Sequence, residues 1–437
     1  MRVLTEFKNF LRISPGDDVA PAVVRHFKHN FIVNVLDVTA WLFGDSFVSV
    51  STIMPVFMST LTNSPLLIGL VPAIMSAGWF LPQLFMAGLV ERLPRKLPFA
   101  KVLAINERLP YFFLPLLALW LPKAAPDAAI WVFVTLLVWR GLAAGLVALP
   151  WQEVIASVIP ISHRGRFFGT SHFIGQISGM LGSAIAALIF SKTIYPYNYA
   201  VCFFIGMLAM WLSYLFFTMN IEPENSEETE ARIKSIAQVK SNLVDFKGFR
   251  RIIKEDSNFR FYLISRSLSF MGNMASGFIA VYGIKHFGLA DEQVAIFTGL
   301  LFLSGIVGYA LWGVLGDRVG PKRILLVSGL VWMAALVVAL VAQLIWVYYA
   351  VFLLLGLAQA GTILGDMVLV MELGDEARRP TYLGLARTLP GVFLLAAPLI
   401  GGGLVSISGY PLMFSVSLFF SATGLVLLLK VKDRKRV

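Results

Sequence analysis

The sequence predicts an all-α integral membrane protein: twelve transmembrane helices in two similar six-helix halves, with both termini cytoplasmic. Three observations predict this: an apolar content too high for a water-facing domain, twelve apolar runs of spanning length, and a one-sided placement of basic residues. Of the 437 residues, 58% are hydrophobic and only 14% are Asp, Glu, Lys or Arg, where a soluble domain carries roughly 25% charged residues. Bilayer hydrocarbon is the solvent that fits such a chain.

A spanning helix needs about 20 mostly apolar residues. Such runs fall at 31–58, 66–89, 99–121, 128–150, 167–190 and 197–220, then at 259–283, 293–315, 323–344, 346–370, 383–407 and 410–430. We number them spans 1 to 12. Pro72, Pro115, Pro390 and Pro398 lie inside spans, where neighbouring helices can satisfy the backbone groups that a proline frees. With cytoplasmic termini, the outer loops hold only Lys123, Lys192 and Lys285, whereas the inner segments collect Arg25, Lys28, Arg92, Arg95, Lys96, Arg164, Arg166, Arg318, Lys322, Arg323, Arg378 and Arg379. That asymmetry sets the orientation. It also assigns the net charge of +11 to the inner membrane face rather than to nucleic acid. The expected location is the cell membrane, and the first span is expected to act as its own insertion signal. The single cysteine, Cys202, excludes an intramolecular disulfide framework and a multi-cysteine metal site.

The two halves repeat each other. At an offset of 228 residues, Asn30-Phe31 falls on Asn258-Phe259, Gly44 on Gly272 and Asp45 on Asn273. At nearly the same offset Glu91-Arg92 falls on Asp317-Arg318, and further on "RGRFFG" from Arg164 matches "RPTYLG" from Arg379. Six spans per half insert both halves in the same orientation, so the repeat is parallel, about an axis along the membrane normal. The chain divides into a cytoplasmic segment 1–29, a bundle 30–220, a linker 221–257, a bundle 258–430 and a basic tail 431–437. In the linker, Ile233, Ile236, Val239, Leu243, Phe246 and Phe249 recur at helical intervals between basic residues, which predicts an amphipathic helix on the inner face. Val3, Leu4, Phe7, Phe10 and Leu11 predict a shorter one at the start.

A duplicated acid-arginine phrase in the loops after spans 2 and 8 resembles the loop signature of the major facilitator superfamily of secondary transporters. Gly313, Leu315, Asp317, Arg318, Gly320, Lys322 and Arg323 match it; in the first half Glu91 replaces the aspartate and Pro94 the glycine, while Arg92, Arg95 and Lys96 keep the charge. The resemblance implies that Glu91 faces the start of span 11, near Leu383, and Asp317 the start of span 5, near Phe167, with Arg164 and Arg379 belonging to the same gate motif. Such carboxylates would meet positive helix ends, each gaining roughly 0.3–1 kcal/mol, and so form a reversible inner gate. The family's fourth-span arginine-glycine pair is only partly kept, since Arg140 is followed by Ala144 and then Gly145.

An ionised side chain at mid-helix costs about 2.5–3.5 kcal/mol on insertion scales, so buried charges mark a cavity or a partner. Span 1 carries Asp37 and Asp45, span 3 Glu107 and Arg108, span 4 Arg140, span 7 Arg266 and Asn273, span 10 Gln359 and Asp366, and span 11 Arg387. Spans 1, 4, 7 and 10 line the cavity of the resembled family. The candidates for proton coupling are therefore Asp45 first, then Asp37, with Glu107 the third. Those for the substrate cavity are Asp45, Arg140, Arg108, Trp41, Trp139, Phe270, Asn273 and Gln359. Asp366, near the cytoplasmic end of its span, reads as a gate or loop-pairing residue.

The function expected is proton-coupled movement of a small solute by alternating access, powered by the proton gradient without a bound cofactor or metal, by a monomer in the bilayer. Richness in Phe, Trp and Met favours export of amphipathic compounds. The alternatives are uptake of a sugar or other metabolite, an anionic one included, and a membrane sensor that does not transport. No nucleotide loop, metal cluster or nucleophile constellation points to an enzyme.

Overall fold

The computed structural model describes residues 21–90, 93, 95–223, 246–290, 292–373 and 379–432, and among these every regular element is helical. The amphipathic segment at 3–11, most of the linker helix, Glu91, Arg92, Arg378 and the last five residues lie outside the described residues. The helices fall where the apolar runs predict, with three local departures that have physical causes.

Span 1 is two helices, Pro21–Asp45 and Ile53–Leu61. The first carries Arg25, Lys28, Asn30, Asn34, Asp37 and Asp45, and a run so polar is held in place by its neighbours rather than by lipid. Span 7 shows the equivalent break in the equivalent place: helix Ser257–Met271, a 3-10 turn Gly272–Ala275, and helix Phe278–Phe287. Spans 11 and 12 join into one helical stretch, Arg379–Leu429. At about 1.5 Å per residue, 51 helical residues would reach some 76 Å, over twice the hydrocarbon thickness. The stretch instead turns back at Gly409 (φ 78°, ψ −176°), a conformation that only glycine adopts without strain. The remaining spans are the single helices Pro65–Val90, Leu97–Ala124, Pro126–Val158, Ile161–Lys192, Tyr197–Thr218, Glu292–Val319, Pro321–Val341 and Ile345–Leu373. Ahead of span 7, helix Phe246–Glu255 is the described end of the linker. Its Ile252 is buried in a cluster with Phe259, Tyr262 and Tyr382, which seats the helix under the second half.

Packing repeats as the sequence does. In the first half span 1 packs on 5 and 6, span 2 on 4, and span 3 on 4 and 6. In the second half span 8 packs on 10, span 9 on 10, and the joined stretch of spans 11 and 12 packs on spans 7 and 9. The halves meet along two seams that exchange under the same symmetry, span 5 against span 8 and span 2 against span 11.

The Asn-Phe coincidence found in the sequence is one interaction made twice. Asn30 Nδ2 donates to the Ile221 carbonyl at 2.9 Å, and Ile221 N–H donates back to Asn30 Oδ1 at 2.9 Å. Asn258 does the same with Lys432, at 2.9 and 2.7 Å. Each asparagine thus ties the first span of its half to the chain just leaving the last. The following phenylalanines, Phe31 and Phe259, are buried. Glu222 extends the first clamp, accepting from the N–H groups of Lys96 and Leu97 at 2.9 and 3.0 Å. It thereby satisfies two orphan donors at the start of span 3.

Replacing Asn30 by Ala leaves two backbone groups without partners, worth about 1–3 kcal/mol each when buried. Cys202 is fully buried in the same half, so the rate at which a thiol-reactive dye labels it on heating reports that half's unfolding. Asn30→Ala is expected to speed labelling markedly and Asn258→Ala to do so less; equal rates for wild type and Asn30→Ala would contradict the clamp.

Candidate functional site

Between the halves lies a cavity of about 530 Å³. Its wall mixes aromatic side chains (Trp79, Phe80, Phe270, Trp332, Phe352) with amides (Gln152, Asn273, Gln359) and hydroxyls, including Ser51, Ser76 and Thr362. No methionine lines it among the described residues. The outer side is closed. Thr52 and Thr298 share a buried hydrogen bond of 2.6 Å across the halves. A Cβ on Gly69 of span 2 would collide with the Pro398 carbonyl and Phe278, and one on Gly402 of span 11 with the Pro65 carbonyl. Deeper along the span 5–span 8 seam, His172 stacks on Tyr309 with ring centres 5.1 Å apart. Toward the cytoplasm, Gly165 and Gly169 of span 5 and Gly313 of span 8 face open space. Among the described residues, the closed side is therefore the outer one.

The second half brings its charges to this cavity. Arg266 Nε lies 2.8 Å from Asp366 Oδ1, its guanidinium sits over the Phe270 ring at 4.8 Å, and the Tyr262 hydroxyl donates to Asp366 Oδ1 at 2.6 Å. Arg387 also lines the wall and donates across the seam to Gln83 Oε1 at 3.2 Å. Asp366, read from the sequence as a gate or loop-pairing residue, is therefore a wall residue holding Arg266 and Tyr262. Its depth along span 10 was legible, but the side of the helix it occupies was not. Tyr262, Arg387, Trp79 and Trp332 were not among the site residues that the sequence suggested; the signal available was that Arg266 and Asp366 stand on spans 7 and 10, which face the midline.

The first half turns its charges inward on itself. Asp37 is buried and accepts from Trp151 Nε1 at 3.2 Å and from Ser213 Oγ at 2.6 Å. Arg108 pairs with its neighbour Glu107 and donates to Ser213 Oγ at 3.3 Å. The result is one polar knot among spans 1, 3, 4 and 6. Arg140 lies 3.8 Å from Asp45 Oδ1, over the Tyr111 ring at 4.9 Å, with Met54 Sδ at 3.3 Å. Trp139 donates to Asn106 Oδ1 at 3.0 Å, and Trp41 packs against the apolar core. Of the eight cavity candidates, Phe270, Asn273 and Gln359 line the cavity, whereas Asp45, Arg140, Arg108, Trp41 and Trp139 are not on its described wall. The physical reason is pairing. Asp45, Glu107 and the two arginines find counterions within the bundle, and Trp139 its acceptor. Asp45 alone of these carboxylates keeps a side chain about one-quarter exposed, at 25% against 8% for Glu107.

The sequence profile of the Major Facilitator Superfamily matches residues 36–264 and again 262–437. The chain belongs to the major facilitator superfamily. Membership makes it a multi-pass membrane transporter and not an enzyme, working by alternating access around a site between the halves. Among relatives, it is 24% identical over 300 residues to an uncharacterized MFS-type transporter of Methanocaldococcus jannaschii, covering 66% of this chain and 69% of that one. It is 29% identical over 145 residues to the uncharacterized MFS-type transporter YitZ of Bacillus subtilis, covering 33% and 84%. The fold is that of the xylose transporter XylE from E. coli in a partially occluded inward-open conformation, with a TM-score of 0.69 at 14% identity over 94% of this chain and 99% of that one. It is also that of the human organic anion transporter MFSD10, with a TM-score of 0.63 at 13% identity over 94% and 100%.

The facilitator loop phrase is placed in part. Gly320 turns span 8 into span 9 with φ 86° and ψ 158°, which explains a glycine there, and Pro321 follows as the first helical residue. Arg323 is exposed. Asp317 and Arg318 stand in the last turn of span 8 and Arg379 opens span 11; their side chains, like Glu91 and Arg92, lie outside the described residues. Arg95 is described and exposed. Arg164, expected at the gate, donates to the carbonyls of Ala156 and Ile159 at 2.6 and 3.2 Å. It thereby caps the end of span 4 within its own half.

Two carboxylates in the first half should respond differently to loss. Asp37→Ala strips a buried knot of its shared acceptor, a change on the order of 3–5 kcal/mol, and is expected to give aggregated protein on size exclusion. Asp45→Asn, at a partly exposed site, is expected to stay monodisperse; the reverse ranking would contradict these placements.

Proposed function

We propose that this facilitator is a proton-coupled carrier of a small organic solute that has both a flat apolar face and hydrogen-bonding groups. The mixed wall supports this: Trp79, Phe80, Phe270 and Trp332 suit the apolar face, and Gln152, Asn273 and Gln359 the polar groups. Cavities of this kind fix orientation with a few placed polar groups among aromatic ones. The expectation of export of amphipathic compounds keeps its aromatic support. It loses its support from methionine, which does not line the described wall, while the amides and hydroxyls favour the alternative of a polar metabolite.

Proton coupling is assigned to Asp45. Its contact with Arg140, at 3.8 Å, is loose enough to be opened and remade, and its partial exposure gives water a route to the carboxylate. A carboxylate whose counterion moves during the cycle can load and release a proton. Asp37 and Glu107, held by short or adjacent partners, suit assembly of the half. The inner-gate role of Glu91, Asp317 and their arginines belongs to the same reading, as does action as a monomer.

In proteoliposomes with an imposed pH gradient, flux of labelled sugars, nucleosides, organic acids and lipophilic cations identifies both the solute class and the direction. Asp45→Asn is expected to abolish gradient-driven accumulation while leaving solute exchange at equal concentrations within about twofold of wild type. Full accumulation by that variant would remove Asp45 from the coupling step.

A further inference from the structure

The described wall of the cavity holds three charged side chains, Arg266, Arg387 and Asp366. One positive charge is left over, and a guanidinium cannot shed its proton to escape the cost. Arg266 is matched by Asp366 at 2.8 Å. Arg387 is not matched one-to-one: its hydrogen-bond acceptor is the neutral amide oxygen of Gln83 at 3.2 Å, and it shares the Asp366 carboxylate's field with Arg266. The two arginines buried within the spans of the first half are otherwise engaged, Arg108 with Glu107 and Arg140 with Asp45. The excess therefore sits on the cavity wall, where a ligand can reach it.

We propose that the cavity recognises its solute through an oxyanion group, a carboxylate or a phosphate, held by Arg387 and Arg266. This deepens the transport reading above and rests on it. Guanidinium forks match such oxyanions in two-point geometry, and an anion neutralises the surplus charge on the wall. Asp366 is then an internal competitor: it occupies Arg266 in the empty cavity and must yield part of that contact when the solute binds. Arg387 adds a link to gating. Its bond to Gln83 crosses the span 2–span 11 seam, so a solute that draws Arg387 away loosens that seam. A ligand with such differential contact shifts the balance between states.

The test uses the purified full-length chain and the tryptophans of the wall, Trp79 and Trp332, as fluorescent reporters. Benzoate and phenyl phosphate are titrated beside uncharged benzamide of similar shape, at fixed ionic strength. Saturable quenching by at least one anion is expected, with benzamide about tenfold weaker or worse, the scale of one charge-assisted hydrogen bond. Arg387→Gln is expected to weaken anion binding by about tenfold or more, Arg387→Lys less, and Asp366→Asn to strengthen it. Cys202 labelling checks that each variant is folded, and Arg387→Lys keeps the charge should Arg387→Gln fail to fold. Equal affinity for benzoate and benzamide, anion binding untouched in folded Arg387→Gln, or no saturable binding of any probe overturns the proposal. Selective anion binding with no flux of any solute would instead sink the transport reading and leave the anion site standing.

Discussion

Hydrocarbon accepts no unaccompanied charge, and that constraint orders this molecule more than any single contact does. Each ionisable residue within the spans has to bring a counterion, a ring face or a wet cavity with it. The first half meets the demand internally: Asp37, Ser213, Arg108 and Glu107 form one knot, and Asp45 with Arg140 another pair, under Tyr111. The second half meets it at the midline, where Arg266, Asp366 and Arg387 face the cavity. Two bundles with the same topology therefore have different jobs. One is a polar-cored scaffold with a single loosely held carboxylate, and the other presents the charged wall.

What the sequence showed and what it hid follow from the same physics. Span positions were legible because lipid demands about 20 apolar residues in a row, and the repeat was legible in Asn30 and Asn258 because both make the same bidentate clamp. The azimuth of each side chain was not legible. A span apolar on every side has little amphipathic contrast, so nothing in the run around Arg140 or Trp139 says which neighbour it meets. Asp366 was placed at its depth, but its partners Arg266 and Tyr262 could not be read, for this reason. Span 1 showed the opposite effect, since its many polar residues looked like a pore lining when most of them bond to spans 4, 5 and 6 or to the chain that follows span 6. The joined stretch of spans 11 and 12 was resolved correctly by length alone, because Gly409 supplies the reversal.

Among the described residues, the polar links across the seams include Thr52 with Thr298, Gln83 with Arg387, and the His172–Tyr309 stack. Small residues and prolines fill the remaining contact on the outer side, where Gly69 meets Pro398 and Gly402 meets Pro65. Without a hydrophobic drive between surfaces in lipid, such interfaces depend on close packing and those bonds. A rocking carrier has to break and remake these contacts in each cycle.

The paired asparagine clamps have a mechanical corollary. By closing each six-helix ring at its cytoplasmic rim, from entering helix to departing chain, they deny the bundle a free edge along which it could unfurl. Strain generated by a bound molecule then has nowhere to dissipate inside either ring and must travel to the boundary between them. Two residues that touch no solute would thus convert a pair of pliant helix clusters into levers.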